Sequence, residues 1–267
     1  MPVDPRRIDL DIANQSALAP MDEAIQYLRD RPWRVLGPYL LGMTLYSVAV
    51  LAVIDVIASQ HRAAIPEMAA MLTVATAWRW VWVAVAQRRV QEDLLNEPPP
   101  ALWRRLPRLL WVRLWANFAL VWGGLVVIPA YYGLFLSGFA TPMVLEQETH
   151  TWPQIKNTLS VIHKASGRLT RVTSAMTVTL LLLAVSVFAL QVFMVHTVLP
   201  SLLGLDSADL ALTMSSWSWF LCMCYFLFVA VDLYWSVLAV VLFNTIKSRR
   251  LGTDLRARLR DLEQPNP

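Results

Sequence analysis

The chain has 267 residues, 57% hydrophobic and 16% charged, with a mean hydropathy of +0.47. One soluble domain of this length does not bury so many apolar side chains, so a bilayer has to take the excess. The formal charge of +4 excludes nucleic acid as a partner, because the basic residues stand at the ends of apolar runs and not on one folded face. Cys222 and Cys224 are the only cysteines; two apart on one predicted helix, they point about 200° apart and form no disulfide framework.

Residues 1–34 read as a cytoplasmic N-terminal segment with no removable signal. Within it Leu18, Met21, Ile25 and Leu28 recur at helical spacing beside Asp22, Glu23, Arg29 and Arg31, which predicts an amphipathic helix lying on the membrane. Residues 35–246 read as the transmembrane domain, with spans at about 35–58, 68–87, 112–128, 131–146, 172–199 and 213–246. The run from Leu102 to Trp115 mixes four arginines with three tryptophans, a composition suited to a headgroup boundary. The apolar stretch 114–145, with Pro129 near its middle, is either one long helix or a hairpin turned about Ile128 to Tyr131. The positive-inside rule selects the hairpin, because a single span would leave Lys156, Lys164, Arg168 and Arg171 outside. Residues 151–166 predict a further cytoplasmic amphipathic helix, with Thr151 and Gln154 spaced as a capping box and Trp152, Ile155, Leu159 and Ile162 along one side.

The fold class is therefore all-α: a polytopic transmembrane bundle of about six spans in three hairpins. Amphipathic interfacial helices at 18–31, 101–111, 151–166 and 250–263 form a collar on the cytoplasmic side. With that threading, all of the 23 Lys and Arg residues except Arg62 and Arg79 face the cytoplasm, in the inner membrane of a bacterium with both termini inside.

Arg79, inside the second span, is the costliest residue to place, at about 2.5 to 3.5 kcal/mol near the bilayer centre unless paired or hydrated. Asp232 in the last span is its candidate partner, about 9 Å apart in depth by helical rise, and Asp55 is the fallback. Such a pair either locks two helices, with Trp78, Trp80 and Trp82 in cation–π reach, or belongs to a polar path. Glu146, Glu148, His150 and His163 match no zinc-ligand spacing, and His196 reads as a packed residue. No GxSxG, Walker A or GxGxxG motif occurs, so neither catalytic residue, metal nor cofactor is predicted. The basic tail, residues 247–267, places Leu251, Leu255 and Leu259 on one stripe with Arg256 and Arg260 on the polar side, a surface for anionic lipid headgroups or a partner protein.

The stretch PMVLE, with Pro142 and Glu146, the amphipathic helix after it, and the ending KSRRLGTDLRARL resemble a loose family of bacterial six-span membrane proteins related to the membrane domain of some glycerophosphodiester phosphodiesterases. Gly252, Asp254 and Leu255 match that family's ending and Lys247 and Arg249 keep its charges, whereas Thr245 stands in place of an acid and Leu251 in place of a Glu. The resemblance spans roughly 142–260. It implies a non-catalytic membrane component, often encoded beside a MoxR-type ATPase and a transglutaminase-like membrane protein. Together these readings predict a scaffold or assembly subunit that docks membrane or cytoplasmic proteins on its basic face. The alternative is a small-solute or ion transporter or channel with Arg79 and Asp232 in a polar intramembrane path.

Overall fold

The computed structural model describes residues 18–59, 65–95, 101–123, 127–146, 151–193, 197, 198, 201 and 217–263. At 57–59, 121–123, 127–130, 151, 154, 191, 217–219 and 249–263 it describes the backbone alone. Among the described residues the helices are α1 (Ala19–Asp30), α2 (Pro32–Ser59), α3 (Ile65–Leu95), α4 (Leu102–Gly123), α5 (Val127–Glu146), α6 (Thr151–Lys164), α7 (Ser166–Phe193) and α8 (Trp217–Glu263). Pro32 opens α2 at a position where its missing N–H costs nothing, so the chain breaks at Arg31 and turns. Pro129 likewise falls in the first turn of α5.

Two antiparallel pairs build the bundle. In α2–α3, Arg34 meets Asp93 at one end, and farther along Gly42 lies against Arg79 and Trp82. In α4–α5, Arg105 reaches the carbonyls of Val144 and Leu145, each at 2.8 Å, while a Cβ on Gly133 would stand 2.8 Å from the Ala116 carbonyl. Helices α4 and α5 thus lie antiparallel; residues 124–126 between them are outside the described residues, and Ile128 to Tyr131, where the turn was expected, are helical within α5. The boundary expected between an interfacial helix at 101–111 and a span from 112 is absent: α4 runs through both as one helix, Pro107 included.

Helix α5 is the centre. Phe135, Phe139, Ala140 and Val144 are fully buried, and Phe135 and Phe139 stack edge-on against Trp235 and Phe243 of α8. Gly138 allows that approach, since a Cβ there would meet Ala239 Cβ at 2.9 Å and the Trp235 indole nitrogen at 3.0 Å; small residues draw membrane helices together in this way. Pro142, also within α5, cannot donate to the Gly138 carbonyl one turn back, and Gln87 Nε2 of α3 takes that carbonyl at 3.2 Å. The same device recurs at Pro38, whose freed carbonyl on Arg34 accepts from Arg89 at 3.4 Å.

Helix α1 is fastened to one end of the bundle. Asp93 accepts from Tyr27 at 2.6 Å and pairs with Arg31 at 3.0 Å and with Arg34. Burial and the adjacent carboxylate hold the Tyr27 phenol proton well above its ordinary range. The amphipathic helix expected at 151–166 is present as α6 and packs back along α4 and α5. Thr158 bonds Met143, Trp152 stacks on Trp115 and His163 Nδ1 meets the Tyr132 hydroxyl at 2.9 Å. Its apolar stripe is spent on a neighbouring helix pair as much as on lipid.

Among the described residues four stretches are long and apolar enough to cross a membrane: Pro32–Val56, Ile65–Leu95, Ser166–Leu190 and Phe220–Ser248. Along α7, Leu181, Leu182, Val185, Phe188 and Phe193 are all exposed. A helix apolar on its open faces is stable only with lipid around it. The protein is an all-α, multi-pass membrane bundle.

Candidate functional site

Two polar layers lie inside this bundle, at the contact of α2, α3, α4, α5 and α8. The first is built on Arg79 and Asp232. A guanidinium at this depth needs a counter-charge, and Arg79 Nη2 stands 2.5 Å from Asp232 Oδ1, with both side chains at least 85% buried (12% and 15% exposed). The other carboxylate oxygen accepts from the Tyr39 hydroxyl at 2.9 Å. The rings of Tyr46 and Phe228 sit 5.1 and 5.2 Å from the guanidinium carbon, within cation–π range. Gly42 makes room for this layer, since a Cβ there would meet Trp82 Cβ at 2.8 Å. Nearer the α2 C-terminus, Ser47 and Tyr225 hydroxyls share a hydrogen bond of 2.6 Å.

The second layer lies eight residues along α3, about 12 Å by helical rise. Gln87 is its hub, 2% exposed. Its Nε2 donates to the carbonyls of Gly138 and Ser236, each at 3.2 Å. Its Oε1 accepts from Arg113 Nη2 at 2.9 Å and from Thr141 Oγ1 at 2.6 Å. Both ends of the amide are thereby used in full, which fixes its orientation. Arg113, 3% exposed, also donates to Thr141 at 3.1 Å. Among the described residues no carboxylate lies within ion-pair distance of Arg113; its hydrogen bonds go to neutral groups, and Asp232 acts on it only through space.

Three buried nitrogen donors in these layers have no hydrogen-bond partner: Arg79 Nε, Trp82 Nε1 and Arg113 Nε. Counting Arg79, Asp232 and Arg113, the interior charge is one positive in excess. The arrangement suits an acceptor-rich, negatively charged guest better than a cation.

Of the residues singled out by sequence, Arg79 and Asp232 come together. Asp55 does not: it is exposed on α2, sixteen residues past Tyr39, about 24 Å along the helix. Leu251, Leu255, Arg256, Leu259 and Arg260 continue α8 in backbone, with side chains outside the described residues, as are Glu148, His150 and His196. Arg113 corrects the sequence reading, which counted it with the cytoplasmic arginines; the bundle encloses it. Its signal was positional: it follows Leu109 and Val112 and precedes Ala116, all three fully buried, on the face that α4 turns inward. Gln87, Thr141, Ser236 and Tyr39 were missed, being uncharged residues inside or beside apolar runs.

Comparison with protein-family models, with curated proteins and with solved structures finds no match to this chain.

Proposed function

We propose that this bundle moves a small anionic solute or ion across the membrane, along a path that passes Arg79, Asp232 and Arg113. The observation that carries this reading is Arg113: a guanidinium sealed among helices is expensive without a direct ion pair, its hydrogen bonds go to Gln87 and Thr141, and the carboxylate whose field reaches it, Asp232, is already paired with Arg79. A guest that brings negative charge and acceptors to Arg113 Nε, Arg79 Nε and Trp82 Nε1 supplies what the site lacks. Asp232 then holds Arg79 when the guest is absent and gives way when it arrives. Ser47 and Tyr225 lie beyond the first layer on the side of the α2 C-terminus, and the second layer lies about 12 Å along α3 from Arg79, so polar groups recur along the bundle. The same reading keeps six crossings, a bacterial inner membrane and cytoplasmic termini.

The test is flux into proteoliposomes of the purified full chain, using chloride, nitrate, acetate and inorganic phosphate as probes under a potassium gradient with valinomycin. At least one anion should enter faster than into protein-free vesicles, and Arg113→Gln should cut that flux at least tenfold. Flux no greater than the protein-free control for every probe sinks the proposal. The scaffold reading then stands instead, with gentle extraction and identification of co-purifying proteins as its own test.

A further inference from the structure

We propose that the charged end of the bundle holds one glycerophospholipid with a primary-ammonium headgroup, independently of whether the interior conducts. A hollow of about 430 Å³ opens there, lined by Glu23 of α1, Glu146 of α5 and Asn244, Thr245, Lys247 and Ser248 of α8. Lys247 Nζ pairs with Glu146 Oε2 at 2.8 Å. Glu146 Oε1 and both amide atoms of Asn244 are buried without a partner. An unsatisfied buried polar group is costly, and the two residues that carry these three, Glu146 and Asn244, both line this one hollow.

Their chemistry specifies the complement. Glu146 Oε1 and Asn244 Oδ1 call for donors; Asn244 Nδ2 and Lys247 call for an acceptor. Glu23, Glu146 and Lys247 together leave one negative charge in excess. A primary ammonium, with three N–H donors, beside a phosphate meets all of these demands. A quaternary ammonium has no N–H and meets only the charge.

A second hollow, about 250 Å³ and lined by Ile25, Leu180, Leu183, Ala230, Val231 and Tyr234, is apolar. It lies on the same stripe of α8: positions 230, 234, 241, 245 and 248 share one face. Thr245 and Ala230 on that face are fifteen residues apart, about 22 Å along the helix, which is about the depth of one leaflet from headgroup to midplane. The apolar hollow therefore sits where an acyl chain hangs from a headgroup held at Glu146 and Asn244. Helix α1 crosses between the two, joined to α8 where Tyr234 donates to the Met21 carbonyl at 3.3 Å.

The full chain is reconstituted in nanodiscs of phosphatidylcholine alone and of phosphatidylcholine with phosphatidylethanolamine. The readouts are melting midpoint and lipid retained in native mass spectrometry. Phosphatidylethanolamine should raise the midpoint by several degrees and remain bound at one per chain. Asn244→Leu, which removes an unpartnered amide, should keep the phosphatidylcholine midpoint and lose the response. Thr179→Trp, which fills the apolar hollow from its exposed rim, should lose the response through a different helix. No rise in midpoint, or an undiminished rise in both variants, overturns the proposal. An equal rise from soluble phosphoethanolamine in phosphatidylcholine discs overturns the lipid as occupant.

Discussion

Arg79 and Arg113 are both buried guanidiniums, and the difference in what they touch predicts opposite outcomes on removal. Arg79→Leu strands Asp232 in the bundle, and breaking one side of a buried pair costs about 3–5 kcal/mol. The variant should be recovered at much lower abundance and melt earlier on fluorescence-detected size exclusion. Arg79→Leu with Asp232→Leu should recover much of that loss, because no charge remains unpaired. Arg113→Met removes a cation held only by Gln87 and Thr141, so its midpoint should stay within a few degrees of wild type while anion flux falls. If Arg113→Met proves as damaging as Arg79→Leu, Arg113 is structural. Sequence made Arg79 and Asp232 legible because each is the lone charge within an apolar run. Arg113 was hidden by its neighbours, since Arg104, Arg105 and Arg108 make the whole run read as a headgroup boundary. Only the inward turn of α4, set by Gly133 against Ala116, separates it from them.

At the scale of elements, one exchange of hydrogen bonds ties three helices: Pro142 frees the Gly138 carbonyl, and Gln87 of α3 takes it and the Ser236 carbonyl of α8 together. Gln87→Leu should therefore destabilise by about 1–3 kcal/mol for each group left unsatisfied. Pro142→Ala restores the helical donor to Gly138, so Pro142→Ala with Gln87→Leu should be more stable than Gln87→Leu alone. A double-mutant cycle on melting midpoints measures the coupling, and strict additivity would show that the two residues act apart. Gly138→Val should be worse than either, since its branched carbons would enter Ala239 and Trp235. The helices themselves were legible from hydrophobic period and proline position. Their partners were not: the stripe on α6 has the same pattern whether it meets lipid or the α4–α5 pair. Nothing local in Trp152 or His163 announces Trp115 or Tyr132 as its contact.

For the whole molecule, packing gathers much of the charge at one end, though Lys164 and Arg168 flank Ser166, whose carbonyl accepts from Tyr131, fifteen residues and about 22 Å along α5 from Glu146. Arg34 and Asp93, Arg105 against Val144, and Glu146 against Lys247 all belong to that end, while Glu67 opens α3 at the opposite end. The sequence placed the same residues together by counting arginines, an argument from insertion energetics; the bundle places them together by helix register, an argument from packing. Labelling at the two ends of the bundle reads the direction of insertion. With Cys222 and Cys224 changed to Ala, Glu67→Cys and Ser248→Cys put one thiol at an exposed position near each end. A membrane-impermeant maleimide on intact cells should modify Glu67→Cys at once and Ser248→Cys only after the membrane is opened. Labelling of Ser248→Cys from outside would turn the bundle over and put the proposed lipid site in the outer leaflet, whereas equal labelling of both in intact cells would mean that α3 and α8 do not hold the two ends in separate compartments.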